Sequence, residues 1–514
     1  MTKFRGHIAI LIAITGSLLL LGNRHTYKIR PNIIVFLVDD MGWQDCSVPF
    51  WSSPTPLNHR YHTPNMEKLA AAGMKFTSAY ATPVCTPTRS SMLTGLNAAH
   101  HHITNWTSPR KNNNTDAVDE DLSPAIWNIN GLSPVKNIER TYFATPFPQI
   151  LQDDGYFTIH VGKAHWASAG TPGANPYNMG FMVNISGHAA GHPQSYLARE
   201  NFGNQPGKAV MQAVPDLEEY YGTDTFLTEA LTLEAIKSLM APIRNNQPFF
   251  LNMAHYAVHT PIMRDQRYYP EYIHAGLDSI EAAYASLVEG MDKSLGDLMD
   301  FLHTEGVAKN TIIIFMSDNG GLSLAPPRGG EAHTQNLPLR AGKGSVYEGG
   351  IRVPMIVSWP GITHSGSTSD QYVMIDDFLP TILEMAKVKQ THYQAIDGKS
   401  IVPYLKNSNL IDTTRALIWH YPNKWQAQGG PGINYFSAIR KGAWKLVYNQ
   451  RTGSKELYNL KDDIGEKLDL SKSLPHITNR LSTLLSNQLR SWAAPMPFNK
   501  TTGRRLLFPD EWTE

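Results

Sequence analysis

Several stretches of this chain are apolar without interruption. Asn32–Val38 reads Asn-Ile-Ile-Val-Phe-Leu-Val and stops at Asp39-Asp40, and Thr311–Met316 stops at Ser317-Asp318-Asn319-Gly320. Phe249–Ala254 and Pro354–Trp359 have the same character. A strand with one wet face alternates polar and apolar residues. Unbroken runs therefore predict strands buried on both faces, in a parallel sheet covered by helices. Between these runs the period lengthens. Thr63-Pro64 offers a cap and an N1 proline to a helix that Gly73 stops. From Ser279 to about His303, Leu287, Met291, Leu295, Leu298 and Leu302 recur at near-helical spacing. This alternation makes residues 30–410 an α/β domain. Beyond about residue 410 the pattern changes. Ala416–Trp419, Ser437–Arg440, Trp444–Tyr448 and Glu456–Leu460 are short segments separated by turn residues, and a helical pattern covers Pro475–Leu489. Residues 411–514 thus predict a smaller antiparallel sheet with a helix. Residues 96–147 are polar and Asn-rich, which predicts a long functional loop.

The first 24 residues read as an address. Lys3 and Arg5 precede an apolar run from Ile8 to Leu21, short for a membrane span and suited to a signal peptide, cleaved or kept as an anchor. The expectation is export to the periplasm or surface of a bacterium.

Composition narrows the chemistry. With 514 residues, 42% hydrophobic and 17% charged, the chain supports a large core. A net charge of +1 gives no electrostatic case for nucleic acid as a partner. Two cysteines beside 20 histidines exclude a disulfide framework and a Cys-rich zinc site. Ligands of parallel α/β sheets gather at the carboxyl ends of strands, where Asp39, Asp40, Asp318 and Asn319 stand. Carboxylates brought together repel unless a cation neutralises them. Oxygen donors without Cys point to Ca²⁺ or Mg²⁺.

Pro83-Val84-Cys85-Thr86-Pro87-Thr88-Arg89 contains Cys-x-Pro-x-Arg and runs on to Leu93-Thr94-Gly95. Gly162-Lys163-Ala164-His165, His255-Tyr256-Ala257-Val258-His259-Thr260-Pro261, Gly342-Lys343-Gly344-Ser345 and Glu456-Leu457-Tyr458-Asn459-Leu460 follow in order. Over residues 30–490 this set resembles the formylglycine-dependent (type I) sulfatases of the alkaline-phosphatase superfamily, with Thr88 where Ser is more usual. The resemblance implies a large mostly parallel sheet flanked by helices. It implies that Cys85 is oxidised to formylglycine by a formylglycine-generating or anaerobic sulfatase-maturating enzyme, and that the aldehyde hydrate attacks sulfur. It implies a cation, Ca²⁺ or Mg²⁺, held by Asp39, Asp40, Asp318, Asn319 and residue 85. In the same way Arg89 orients the hydrate, Lys163 and Lys343 grip sulfate oxygens, His259 is the general acid, and His165 is the base that expels sulfate and restores the aldehyde.

His102, Trp106, His188, His192 and Arg264 lie between the motifs and are candidates for binding a sulfated oligosaccharide or polysaccharide, since Trp stacks on sugars and His and Arg read hydroxyls. Galactose or N-acetylgalactosamine 4-O-sulfate is the expected unit. Two alternatives stand: a phosphatase or phosphodiesterase of the same superfamily, and a catalytically silent glycan-binding relative.

Overall fold

The computed structural model describes residues 30–324, 331–388 and 394–512. The expected signal segment, residues 1–24, lies outside them. The frame is a nine-stranded sheet. Its strands are β1 (Asn32–Val38), β2 (Met74–Tyr80), β3 (Phe157–Gly162), β4 (Val183–Ile185), β5 (Phe249–Ala254), β6 (Thr311–Ser317), β7 (Arg352–Ser358), β8 (Ser367–Ser369) and β9 (Val373–Met374). The order is β8-β2-β7-β6-β1-β5-β3-β4, with β9 also on β2.

Strand β1 lies between β5 and β6, parallel to both. Its successive side chains feed two different cores. Ile33, Val35 and Leu37 point into one, and Ile34, Phe36 and Val38 into the other. This two-sided burial is what the unbroken apolar run encodes. Helices α1 (Pro64–Ala72), α4 (Leu227–Arg244) and α5 (Ser279–Thr304) cover the second face, with Met66, Leu231, Leu239, Leu287 and Leu295 buried there. Helices α2 (Cys85–Thr94), α3 (Phe147–Asp153) and α6 (Phe378–Ala386) cover the first, with Met92, Leu93, Leu151 and Ile382.

Two local expectations change. Strand β7, expected to be parallel, runs antiparallel to both β6 and β2. An unbroken run reports burial on two faces and says nothing about direction, which the connection decides. The Thr63 hydroxyl does not cap α1; it accepts instead from the Ser47 amide at 2.9 Å. The cap comes from Asp292 of α5, whose carboxylate accepts from the Asn65 and Met66 amides at 3.0 and 2.7 Å. An ionised side chain from a neighbouring helix outcompetes the local hydroxyl.

Strands β10 (Ala416–Tyr421), β11 (Phe436–Lys441), β12 (Trp444–Asn449) and β13 (Lys455–Asn459) form an antiparallel sheet in chain order. One face, with Trp419, Ala438, Val447 and Tyr458, joins the main core. Ile439, Leu446 and Leu457 meet Leu481, Leu485 and Leu489 of α7 (Pro475–Ser491) on the other face. The small sheet is therefore an inner layer, and its loops reach the site.

Candidate active site

The parallel register sets Val38 opposite Ser317, so Asp39-Asp40 and Asp318-Asn319 leave the sheet side by side. The Asp318 amide donates to the Val38 carbonyl at 2.9 Å, and the Asp40 amide to Asp318 Oδ1 at 3.3 Å. Asp40 sits in the left-handed region, φ 61°, which turns its carboxylate towards Asn319, whose Nδ2 donates to Asp40 Oδ1 at 2.8 Å. All four side chains are buried.

Burial and the nearby Asp318 push the Asp39 carboxyl well above the ordinary range, against the pull of Lys163. Burial acts on Asp40 too, yet Lys343 and His259 hold it below its usual value. Among the described residues, Asp39 Oδ1 and Asn319 Oδ1 are buried acceptors with no hydrogen-bond donor. Donor atoms of Asp39, Asp40 and His259 lie within 4.8 Å of one another. Two orphaned oxygens inside a carboxylate cluster fit a hard divalent cation.

Three cations answer the three carboxylates. Lys163 follows β3 and pairs with Asp39 Oδ2 at 2.5 Å. Lys343 pairs with Asp40 Oδ1 at 2.5 Å. Arg89, one turn into α2, donates from Nε to Asp318 Oδ2 at 3.0 Å and from Nη1 to the Lys163 carbonyl at 2.7 Å. The antiparallel direction of β7 brings Lys343 here: parallel strands deliver residues from their carboxyl ends, and β7 delivers the segment before its start. That segment is pinned by the Lys343 amide on the Gly321 carbonyl at 3.0 Å and the Gly344 amide on the Pro83 carbonyl at 2.7 Å.

Cys85 is the first residue of α2 and points its sulfur at His165 Nδ1, 3.3 Å away. Burial raises the thiol's pKa in spite of Lys163 and Lys343, so unmodified Cys85 is a protonated thiol and a poor nucleophile. His165 Nε2 donates to the Thr107 carbonyl at 2.9 Å, which leaves Nδ1 without a proton and facing residue 85. Burial and Lys163 hold His165 far below the usual imidazole range, so it is a neutral base. Its ring needs Gly191: a Cβ there would lie 2.4 Å from His165 Cε1. The Thr88 hydroxyl contacts the Thr82 amide at 2.9 Å and the Thr82 hydroxyl at 2.7 Å, a clamp on the loop entering α2 that Ser or Thr can make.

His259 stands opposite. Its Nδ1 donates to the Thr260 carbonyl at 2.9 Å, and its Nε2 is 3.6 Å from Asp40 Oδ2. Its ring stacks on His192, with centroids 5.8 Å apart. Burial and Lys343 favour the neutral ring, while Asp40 opposes them.

These residues open onto a cavity of about 650 Å³, lined by Cys85, His165, His192, His259, Lys343, Trp106, Arg110, Asn113, Met211 and Trp425 among others. Of the candidates for sugar binding, Trp106 and His192 line it. His188 stands behind: its ring contacts the Ala213 carbonyl and the Tyr256 hydroxyl at 3.0 and 3.1 Å, and its own carbonyl accepts from the His165 amide at 3.1 Å. His102 contacts the Trp492 carbonyl at 3.0 Å, and Arg264 lies over the Tyr269 ring. Neither is among the cavity's lining residues. Arg110 and Trp425 were not singled out from the sequence. Trp425 sits on Gly344, where a Cβ would come within 2.0 Å of its ring. Its one advance signal is a large aromatic inside a polar, Gly-rich stretch, 423–432.

Comparison with known proteins agrees with this geometry. The sulfatase family model matches residues 31–388, and the model described as N-sulphoglucosamine sulphohydrolase, C-terminal, matches residues 342–492. A sulfatase of Formosa agariphila is 29% identical, covering 90% of this chain and 88% of its own. N-acetylgalactosamine-6-sulfatase of Mus musculus is 27% identical, covering 86% and 82%. The solved structure of Ps i-CgsB superposes with a TM-score of 0.70 at 25% identity, covering 94% of each chain, and is also known in complex with k-i-k-neocarrahexaose. With a family model spanning most of the chain and acid, base and cation groups assembled around Cys85, the protein belongs to the sulfatase family and is a sulfatase.

Proposed function

We propose that the protein removes sulfate from a sulfated carbohydrate, using formylglycine made from Cys85 and a divalent cation, Ca²⁺ or Mg²⁺, held by Asp39, Asp40, Asp318 and Asn319. One observation carries this reading: the unprotonated Nδ1 of His165 faces Cys85 Sγ at 3.3 Å, in the lining of the cavity and beside the carboxylate cluster. The matured residue supplies a geminal hydroxyl as nucleophile, and the cation supplies Lewis acidity towards sulfuryl oxygens.

The chain's own groups do the rest. Lys163 and Lys343 offer ammonium protons to the sulfuryl oxygens and hold their negative charge while the S–O bond breaks towards the leaving oxygen. Arg89 holds Asp318 and the Lys163 carbonyl, and so fixes the frame around residue 85. His165 Nδ1 accepts a proton from the residue-85 side. His259 Nε2 delivers one to the leaving alkoxide, its second proton favoured by the anion that the ester brings. Charge also balances. Asp39, Asp40 and Asp318 match Lys163, Lys343 and Arg89, so a divalent cation with a monoanionic ester and an ionised nucleophile leaves the site neutral before His259 takes up its second proton.

For the substrate, support comes from Trp106 and Trp425 in the cavity wall and from the relatives, one named for N-acetylgalactosamine 6-sulfate. We assign sulfated galactose or N-acetylgalactosamine units, and leave the 4-O and 6-O positions to a substrate panel. Maturation by a formylglycine-forming enzyme and export to the periplasm or cell surface belong to the same proposal. The test is mass spectrometry of the Cys85 peptide from a host that forms formylglycine, with metal analysis and sulfate release from the panel. An aldehyde mass, one Ca²⁺ or Mg²⁺ per chain and release from a galacto-configured ester are expected. An unmodified thiol in protein that still turns over, or two zinc ions per chain, would overturn the mechanism.

A further inference from the structure

Among the described residues, one cation in the cavity has no anionic partner. Arg110 shares the cavity with Cys85, and no Asp or Glu lies among the cavity's lining residues. Its Nε meets the thioether sulfur of Met211 at 3.3 Å, a weak acceptor. Among the described residues no carboxylate pairs with it, and it is exposed. Asp116, on the same stretch, is turned inward. It accepts from Asn105 and Asn423 through Oδ1 at 3.1 and 2.9 Å, and from Trp127 through Oδ2 at 2.9 Å.

The backbone that presents Arg110 is held firmly. The Ser108 hydroxyl accepts from the Arg110 amide at 3.1 Å and from Asn113 Nδ2 at 2.9 Å. The Ala169 amide donates to the Pro109 carbonyl at 3.0 Å, and Asn112 and Asn130 exchange two hydrogen bonds of 2.8 and 2.7 Å. A guanidinium on a braced loop, facing a space without acids, is preorganised for an oxyanion. The reacting sulfate is not that oxyanion, because Lys163 and Lys343 already serve the reaction centre.

We propose that Arg110 binds a second anionic group, a sulfate or a carboxylate on the sugar adjoining the one that is desulfated, so that the preferred substrate is an oligosaccharide with at least two negative charges. This rests on the carbohydrate reading above and adds to it a determinant of specificity.

Two matched pairs test it. Neocarrabiose with one sulfate is compared with neocarrabiose carrying a second sulfate on the neighbouring residue. N-acetylgalactosamine 6-sulfate is compared with the chondroitin 6-sulfate disaccharide, in which a uronate adjoins. Binding is measured by calorimetry on the Cys85→Ser protein, and kcat/KM on the matured enzyme. In at least one pair the dianion should bind about fivefold or more tightly, and the responding pair tells sulfate from carboxylate. Arg110→Gln should bring that ratio to within twofold of one, and Arg110→Lys should keep part of it. The preference should also shrink in high salt, since the contact is exposed. Four results would overturn the proposal: equal affinities in both pairs, a preference that survives Arg110→Gln, equal losses for both members of a pair, or no binding of any probe. Sulfate release from the monoanions without preference would overturn only the role of Arg110. Hydrolysis of p-nitrophenyl sulfate with no release from any of the four sugars would instead count against the carbohydrate reading, and the binding arm would still decide on Arg110.

Discussion

Lys445 of β12 is fully buried and lies between two carboxylates, 2.8 Å from Glu348 Oε1 and 2.8 Å from Glu466 Oε1. Glu348 also accepts from the Tyr80 hydroxyl at 2.6 Å, and its amide donates to Glu466 Oε2 at 2.8 Å. The small sheet is thus clipped to the segment that carries Lys343. Each ion pair at this separation is worth about 6 kcal/mol at an effective dielectric near 20, before the desolvation of three charges is subtracted. Removing one partner of a buried cluster typically leaves a net loss of about 3–5 kcal/mol. Lys445→Met, similar in volume, should therefore lower unfolding free energy by about that much at pH 8. The pH dependence follows from Glu466. Burial raises its pKa, against the pull of Lys445 and with the help of Glu348, to about 7. A raised folded-state pKa contributes stability that is present below the unfolded value and lost as pH climbs through about 7. Without Lys445 the carboxyl rises further, so more stability is lost between pH 5.5 and 8. The Lys445→Met deficit should then be smaller at pH 5.5, and adding Glu466→Gln should recover about half of it at pH 8. Urea unfolding followed by tryptophan fluorescence at both pH values measures this. A deficit below about 1 kcal/mol at pH 8, or an equal one at pH 5.5, would refute the reasoning.

Three further outcomes are expected. Cys85→Ser removes the thiol that the proposed maturation requires with little change in volume, so sulfate release should vanish while the thermal midpoint moves by less than about 3 °C. His259→Ala should lower kcat on an alkyl sulfate by about 10²–10⁴-fold and on p-nitrophenyl sulfate far less, because a good leaving group needs little protonation; equal losses on both would contradict its role as acid. Gly344→Ala places a Cβ 2.0 Å from the Trp425 ring at a position of φ +86°. It should cost about 1 kcal/mol or more of stability and lower kcat/KM by about ten- to hundredfold through displacement of the adjacent Lys343; kinetics matching wild type would show that the contact does not position the lysine.

The central sheet was legible because burial on both faces leaves a simple trace. Asn32–Val38 and Thr311–Ser317 carry no alternation, and they are neighbours in the middle of the sheet, covered by helices on both sides. Helices α5 and α7 were legible nearly to the residue, because a long amphipathic stretch repeats one signal many times. Direction and capping were not. Strand β7 carries the same apolar trace as the parallel strands, and it is antiparallel because the connection through Lys343 stays at the end of the sheet where β6 finishes, so that β7 starts there. The cap of α1 is an aspartate 228 positions beyond Pro64, at 292, and no local pattern announces a partner so distant in sequence.

The site divides along the same line. The residues proposed to act on the sulfate group serve chemistry common to any sulfate ester, and they stand in short motifs: Asp39-Asp40, Cys85 to Arg89, Lys163 to His165, His259, Asp318-Asn319 and Lys343. The structure gathers all of them into one linked cluster, of which Cys85, His165, His259 and Lys343 line the cavity. Residues that meet the rest of the substrate have no such common chemistry. They stand on loops, where one histidine looks like another. His188 turned out to support His165 from behind, while Trp425 reached the cavity from the small sheet and Arg110 from a loop braced by asparagines. A motif read along the chain finds groups tied to the reacting atom. Groups that would meet the rest of the substrate become visible only once the fold shows which loops share the cavity. For this chain that is where specificity has to be sought, in Trp106, Arg110 and Trp425 rather than in the motif residues.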